Sequence, residues 1–259
     1  MKSLKKIIAV VLSVLVVCLS FAACSNSSNA DKTDSEKIKE KGELVVGITD
    51  FAPMDYKDEN GNWIGFDADL ATKTAEKLGV KVKFLVIEWD NKFLELETGA
   101  IDCIWNGMTI TDEVKNNSSV TNAYAMNQQV VVSKKEYKSV DDLKGLKFAV
   151  ESGSAGQSAA NDKKLDATVV GSQADALLEV ESGSVDACII DSTMAAAMTG
   201  EGTDYADLKA SVVLVDEKYG ISFRKDSDMT EIMNGYLKDF TADGTMKTLA
   251  DKYSVQLAE

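Results

Sequence analysis

The sequence predicts an α/β protein with two similar lobes, and an internal repeat is the main reason. Residues 95–105 read ELETGAIDCIW, and residues 179–189 read EVESGSVDACI. Each stretch has the pattern of a helix that ends at a glycine, followed by an acidic turn and a short apolar strand. The two copies are too far apart for a solenoid array. We therefore expect two lobes, each with a parallel sheet, that face each other across a crevice. A chance recurrence of a common helix–turn–strand motif is the alternative.

A second, weaker echo and the chain length agree with two lobes. Residues 42–48 and 145–151 each begin with a glycine and continue as an apolar strand. About 220 residues remain beyond the N-terminal segment, more than most single cores hold. Cys103 and Cys188 occupy equivalent strands of different lobes, so we expect both to be buried free thiols.

The N-terminus has the pattern of a secretory signal. Three lysines among the first six residues precede an apolar run at residues 7–21, which is shorter than the roughly 20 residues of a membrane-spanning helix. Phe21-Ala22-Ala23-Cys24 resembles a bacterial lipobox, although leucine is usual at the position of Phe21. We expect a lipoprotein signal peptide at residues 1–23, a lipid on Cys24 and a disordered tether at residues 24–38. An ordinary signal peptide is the alternative.

Composition excludes several classes of function. Removal of residues 1–23 takes away three lysines and no acid, which leaves 25 cations, 42 acids and a net charge of −17. So acidic a chain is unsuited to nucleic acid. Histidine is absent, which removes the commonest metal ligand and general base. No glycine-rich phosphate loop is present either. We expect no enzymatic activity, no cofactor and no metal.

Apolar runs and helix signals lay out the first lobe. A strand at 44–48 leads into a turn that holds the only proline, Pro53, and Asn60-Gly61 marks a hairpin turn. A helix opens at Gly65 and ends at Gly79. The other elements are a strand at 82–87, a helix at 91–97 and a strand at 103–106.

The second lobe repeats the same alternation. Its predicted elements are strand 147–151, loop 152–156, helix 157–163, strand 168–170, helix 175–182 and strand 187–190. Residues 130–133 and 220–223 have the pattern of extended crossings between the lobes, and two amphipathic helices follow at 229–239 and 245–253. Because the chain crosses out and back, we expect lobe 1 at residues 39–129 and 222–259, and lobe 2 at residues 130–221.

Five motifs together resemble the extracellular solute-binding proteins of family 3, which deliver polar amino acids to ABC importers. The motifs are Gly65–Leu70, Gly99–Asp102, Met108–Thr111, Gly183–Ala187 and Asp243–Tyr253. The resemblance covers residues 40–253. It implies a two-lobed, type II periplasmic-binding-protein fold with two hinge strands and a ligand enclosed between the lobes. It also implies a membrane permease and an ATPase as partners.

On the first lobe, the resemblance implies two groups of ligand-binding residues. Phe51 and Trp89 match positions where an aromatic or apolar side chain packs on the ligand, and an aromatic face also attracts an ammonium group. Core packing is the alternative for both. The second group follows the first repeat's strand at the crevice edge and consists of Asn106, Gly107, Met108 and Thr109.

On the second lobe, the resemblance implies a loop and an aspartate. Ser154, Ala155 and Gly156 lie just before a helix, where free N–H groups favour an anion. Asp191 matches the family's aspartate that binds the ligand's α-ammonium group; its alternative role is a helix N-cap. Glu151 has no role that the family supplies, and solvent exposure would account for it.

One position departs from the family pattern. Val114 stands where the family usually has an arginine that binds the ligand's α-carboxylate, and the chain's single arginine, Arg224, lies in the returning crossover. Three readings stay open. In the first, Lys115 or another lysine substitutes, although a lysine lacks the planar fork. In the second, which we favour, the amides at the helix start together with Asn106 and Thr109 hold the carboxylate alone. In the third, the ligand has no α-carboxylate.

These observations predict a lipid-anchored, monomeric substrate-binding component of an ABC importer, on the outer face of the cytoplasmic membrane. It would capture a small amino acid by hinge closure. Two alternatives are a cationic ligand without a carboxylate, such as a polyamine or a betaine, and presentation of a ligand to a signalling receptor. A remote alternative is a dehydratase-like enzyme for cyclic amino acids, with Glu151 or Asp191 as its acid or base.

Overall fold

The protein is described here by a computed structural model that covers residues 32–258. The predicted signal peptide and Cys24 lie outside the described residues. The helices are α1 (Asp34–Lys41), α2 (Phe66–Leu78), α3 (Lys92–Thr98), α4 (Asp112–Asn117), α5 (Ala155–Lys163), α6 (Gln173–Ser182), α7 (Ser192–Met198), α8 (Met229–Ala242) and α9 (Thr245–Tyr253). The strands are β1 (Glu43–Ile48), β2 (Tyr56–Lys57), β3 (Trp63–Ile64), β4 (Lys81–Val86), β5 (Cys103–Thr109), β6 (Ser119–Val120), β7 (Ala125–Ser133), β8 (Lys147–Glu151), β9 (Asp166–Val170), β10 (Ala187–Asp191) and β11 (Lys209–Phe223).

One sheet runs through both lobes, in the order β4-β1-β5-β11-β7-β10-β8-β9, with β6 paired to β11. At one end, β4, β1 and β5 pair in parallel; at the other, β10, β8 and β9 do the same. Between these groups, β11 and β7 pair in an antiparallel manner with their neighbours. Two parallel groups joined by two long strands are the architecture that the repeat predicts, so the predicted fold class is confirmed.

The two joining strands are longer than predicted. The crossings predicted at residues 130–133 and 220–223 lie inside β7 and β11, but β11 already begins at Lys209. Its pairing with β7 shifts register twice, between Ala210 and Val213 and between Val213 and Val215. Such bulges break the alternation of buried and exposed residues by which a strand is recognised in a sequence. The segment boundaries 39–129, 130–221 and 222–259 stay a prediction.

The internal repeat has the same backbone role in both lobes. Gly99 and Gly183 end α3 and α6 in the left-handed conformation, with φ of 78° and 81°. The carboxylate of Asp102 accepts a hydrogen bond of 2.7 Å from the Val45 backbone N–H. The carboxylate of Asp186 accepts one of 2.9 Å from the Lys147 backbone N–H. In each lobe, the aspartate that precedes a strand therefore holds the start of the neighbouring parallel strand.

Helix α1 corrects the predicted tether. Residues 34–38 are helical rather than disordered, so the tether prediction of residues 24–38 is wrong for its last five positions. Acidic residues occupy the first turn of α1 and lysines the last, which suits the helix dipole. Ile38 is completely buried and attaches the helix to the core. The polar composition of this segment gave no sign that Ile38 is buried.

The cores contain both predicted free thiols. Cys103 and Cys188 are buried and unpaired, as expected. Cys103 and Cys188 lie in β5 and β10, in the two parallel groups of the sheet. Across residues 32–258, no helix is both long and apolar enough to cross a membrane.

Candidate ligand-binding site

A cleft lies where the two parallel groups of strands face each other. Its walls come from the carboxyl ends of β1 and β5 on one side and of β8 and β10 on the other. Nine of the predicted site residues line it: Phe51, Trp89, Asn106, Gly107, Met108, Thr109, Ser154, Ala155 and Asp191. Gly156 does not line it. A β-carbon there would stand 2.8 Å from the Ile189 carbonyl oxygen, so Gly156 packs against the backbone of β10 instead.

The wall from the first lobe is formed by the end of β5. Asn106 is buried; its side-chain oxygen accepts a hydrogen bond from the Thr49 backbone N–H, and its amide nitrogen has no partner within the described residues. Gly107 donates its N–H to the carboxylate of Asp67 at 2.7 Å. A β-carbon on Gly107 would come within 2.6 Å of the Phe51 ring. Glycine is required at this position because the Phe51 ring packs directly on the backbone.

The wall from the second lobe is the loop before α5. The hydroxyl of Ser154 accepts a hydrogen bond of 3.1 Å from the Gln157 N–H and donates one of 2.8 Å to the Glu151 carbonyl. The N–H of Gly153 donates to the side chain of Gln157 at 2.8 Å. Several hydrogen-bond donors that the sequence predicts for an anionic ligand are therefore bonded within the loop itself.

Asp191 is the centre of a buried polar network. It occupies the N-cap position of α7, yet its side chain makes no capping bond. Its carboxylate instead accepts hydrogen bonds from four side chains, which are Asn127 at 2.5 Å, Gln129 at 3.0 Å, Gln173 at 2.5 Å and Tyr219 at 2.6 Å. Burial raises the pKa of Asp191, and these donors oppose the shift. Three of the four donors belong to the long strands β7 and β11.

Glu217 extends the same network along β11. One of its carboxyl oxygens accepts from Asn127 at 2.6 Å and from Gln129 at 2.8 Å. Burial, together with the nearby Asp191 carboxylate, raises the pKa of Glu217 to about 8. Two carboxyl groups thus share the same amide donors between the lobes, which favours one proton on the pair at neutral pH.

Glu151 is buried rather than solvated, which corrects the expectation for it. It ends β8, lines the cleft and is only 4% exposed. Burial raises the pKa of Glu151 to about 8; the Asp191 carboxylate adds to this shift, and Lys92 opposes it.

Lys92 is one of several cleft residues that sequence reasoning missed, together with Thr49, Gly153 and Gln173. It lies in the first turn of α3, is 5% exposed and lines the cleft. Its ammonium group donates to the Trp89 carbonyl at 3.2 Å and, across the cleft, to the Gly153 carbonyl at 2.9 Å. It also lies 5.1 Å from the centre of the Trp89 ring. Lys92 follows Trp89 by three positions, a spacing that puts both on one helical face and was the available signal.

The two basic residues considered from the sequence, Lys115 and Arg224, lie outside the cleft, whereas Val114 lines it. Val114 is buried, lines the cleft and packs in an apolar cluster that includes Met108. Lys115 is outside the cleft, with its ammonium group 3.9 Å from Asp112. Arg224 binds Asp34 at 3.0 Å and the Ile101 carbonyl at 2.8 Å, away from the cleft. Among residues 32–258, no group of three or more cysteines, aspartates and glutamates is placed to hold a metal ion.

Known proteins with the same sequence pattern and fold bind solutes outside the cell. The model of the bacterial extracellular solute-binding proteins, family 3, matches residues 44–256. The chain is 33% identical over 261 residues to the probable amino-acid-binding protein YxeM of Bacillus subtilis (strain 168), with 96% of this chain and 95% of that protein covered. The chain belongs to this family of extracellular solute-binding proteins.

Solved structures agree with that assignment. A mutant of ArgBP from T. maritima superposes with a TM-score of 0.79 at 36% identity, over 85% of this chain and 98% of that one. An ABC uptake transporter substrate binding protein from Streptococcus pneumoniae, with bound histidine, superposes with a TM-score of 0.78 at 29% identity, over 85% of this chain and 96% of that one. The shared fold is the two-lobed fold of amino-acid-binding proteins.

Proposed function

We propose that this chain is the substrate-binding component of an ABC importer and that it captures an amino acid in the cleft by closure of the two lobes. The observation that carries the proposal is the distribution of charge in the cleft. One buried ammonium group, that of Lys92, comes from the first lobe, and the buried carboxylate of Asp191, which accepts four hydrogen bonds, comes from the second. An amino acid carries both charges and would meet an opposite charge from each lobe.

The family and the relatives support this function. Relatives are described as binding proteins for amino acids, among them arginine and histidine. The cleft lies where two long strands connect the lobes, which suits hinge closure around a ligand. The proposal includes a permease and an ATPase as membrane partners and excludes catalysis.

The proposal also includes a lipid anchor. It rests on the sequence Phe21-Ala22-Ala23-Cys24 and places the chain on the outer face of the cytoplasmic membrane. Cells that express the wild-type chain and take up an alkyne-tagged fatty acid should label it, whereas Cys24→Ser should stay unlabelled. Labelling of both chains would show that the anchor is not on Cys24.

A thermal-shift screen of the full-length chain tests the ligand class. A compound that binds only the folded chain raises the melting temperature by mass action. The panel contains all proteinogenic amino acids, ornithine, polyamines and betaines. A shift with one or more amino acids supports the proposal; shifts with polyamines or betaines alone would replace it with a cationic ligand. Uptake of the identified amino acid should fall in cells that lack the chain, and unchanged uptake would favour a sensor.

A further inference from the structure

We infer that Lys92 is the residue that binds the carboxylate group of the ligand, in place of the arginine that is absent at position 114. This inference rests on the proposed function and assigns the anion-binding part of the same cleft. It differs from the reading favoured by the sequence, in which neutral donors hold the carboxylate alone.

The ammonium group of Lys92 is buried without a charged partner within the described residues. Lys92 is 95% buried, and no carboxylate lies within ion-pair distance of it among the described residues. Its two acceptors are the backbone carbonyls of Trp89 and Gly153. An ammonium group has three N–H donors, so one donor stays available in the cleft. A buried charge without a charged partner is costly, and an anionic ligand would supply that partner.

Three acidic residues face Lys92. Glu113, Asp90 and Glu151 act on it electrostatically. Glu113 and Asp90 are exposed, so water and salt screen their charges. Glu151 is buried, and its pKa of about 8 leaves it mostly protonated at neutral pH. The positive charge of Lys92 therefore stays largely uncompensated inside the cleft.

Several other donors beside the cleft are already bonded. At the start of α5, the N–H groups of Gly153 and Gln157 and the hydroxyl of Ser154 are bonded within the loop. The amide nitrogen of Asn106, in contrast, is buried, has no partner in the described chain and belongs to a residue that lines the cleft. Lys92 and Asn106 both belong to the first lobe, so together they offer one charged and one neutral donor to a carboxylate.

Lys92 lies between the two lobes. Its bond to the Gly153 carbonyl joins α3 of the first lobe to the loop after β8 of the second. A ligand carboxylate bound to the same ammonium group would lie between these two elements. Lys92 thus contacts the element that must approach when the cleft closes.

The test compares Lys92→Met with wild type on two sets of probes. The probes are the proteinogenic L-amino acids and their carboxamides, in which a neutral group of similar shape replaces the carboxylate. Calorimetry of the full-length chain in detergent gives both affinities. We expect Lys92→Met to weaken binding of the amino acid by about 10- to 100-fold and that of its carboxamide by less than about threefold. The loss of preference for the acid is a change that a merely structural role of Lys92 would not produce.

Two controls keep the result clear. Lys115→Met removes an exposed lysine outside the cleft and should keep the wild-type preference. Lys92→Gln is a second neutral variant that keeps polarity, for the case in which methionine is not tolerated. If the Lys92 variants keep the preference for the acid, the inference is wrong while the proposed function stands. If no amino acid binds wild type, both the inference and the amino-acid assignment are wrong. If carboxamides bind wild type as tightly as the acids do, the inference is wrong while the amino-acid assignment stands.

Discussion

The hydroxyl of Tyr219, on the long strand β11, donates a hydrogen bond of 2.6 Å to the carboxylate of Asp191 at the end of β10. Both residues are buried, and the same hydroxyl lies 3.2 Å from that of Thr193 in α7. This bond ties the strand that joins the lobes to a residue that lines the cleft. The cleft and the joining strands are therefore linked through Asp191, by this bond and by those from Asn127 and Gln129 of β7.

Removal of that contact should cost stability. In Tyr219→Phe, the Asp191 carboxylate loses one of four donors inside the protein, and we expect the free energy of unfolding to fall by about 1–3 kcal/mol. Urea denaturation followed by circular dichroism measures the change. Tyr236→Phe is the matched control, because the hydroxyl of Tyr236 makes no hydrogen bond within residues 32–258. Equal losses in the two variants would contradict a special role for the Tyr219 hydroxyl.

Glu151 should make the stability depend on pH. Its pKa is about 8 in the folded chain, against an ordinary value of 4.5, so the folded chain holds a proton that the unfolded chain releases between these two values. Stability from this group is complete below pH 4.5 and falls as the pH rises through 8. Between pH 4.5 and about 8, the free energy of unfolding of Glu151→Gln should rise relative to that of wild type by about 2–5 kcal/mol. Denaturation at a series of pH values tests this, with the exposed Glu76→Gln as control. If the difference in unfolding free energy between Glu151→Gln and wild type does not vary with pH, the pKa of Glu151 is not raised.

Gly153 should control closure of the cleft. Its φ is +67°, and a β-carbon there would stand 2.7 Å from the carboxylate of Asp90 on the other side of the cleft. We expect Gly153→Ala to weaken ligand binding by tenfold or more, about 1.4 kcal/mol, because the two sides no longer meet. Gly145→Ala is the control: its φ is +81°, and its β-carbon would have no neighbour within 4 Å. Both variants carry backbone strain, but only Gly153→Ala should lose affinity in calorimetry. Unchanged affinity would mean that the cleft does not close at this point.

The two repeated aspartates, Asp102 and Asp186, should contribute different amounts to the free energy of unfolding. Asp102 is buried and binds the Val45 N–H, the Lys41 ammonium at 2.6 Å and Arg224 at 3.7 Å. Asp186 is exposed and binds the Lys147 N–H. Asp102→Ala leaves the buried Val45 N–H without its partner and removes the ion pairs with Lys41 and Arg224, and we expect a loss of about 2–4 kcal/mol. Asp186→Ala should lose about 0.5–1.5 kcal/mol. Chemical denaturation of both variants measures the difference, and an equal cost would show that burial does not strengthen this bond.

Much of the fold could be predicted because local patterns report local structure. The repeat placed α3, α6, β5 and β10 correctly, since glycine at a helix end and an aspartate before a strand are local signals. The beginning of β11 could not be found in the same way. Its two register shifts disturb the alternation of residues, and only its pairing with β7 defines it as a strand.

In the candidate site, too, residues marked by local patterns could be predicted, and residues that depend on distant contacts could not. Asn106 and Asp191 could be placed at the cleft because each lies in a buried strand that carries a recognisable motif. Lys92 was missed because a lysine in a short polar helix usually lies in solvent. Its burial depends on the approach of Gly153 from the other lobe, a contact between residues 61 positions apart. The three-residue spacing from Trp89 puts Lys92 on the same helical face, but it does not report this contact with the other lobe.

The carboxyl group of Glu151 has a consequence for how ligand capture is measured. It retains its proton near neutral pH because burial keeps water from it. Opening of the cleft would return this cleft-lining group to water and release its proton, so each cycle of capture and release exchanges a hydrogen ion with the medium. The binding enthalpy should therefore change with the ionisation enthalpy of the buffer, and Tris and phosphate should give different heats for the same affinity.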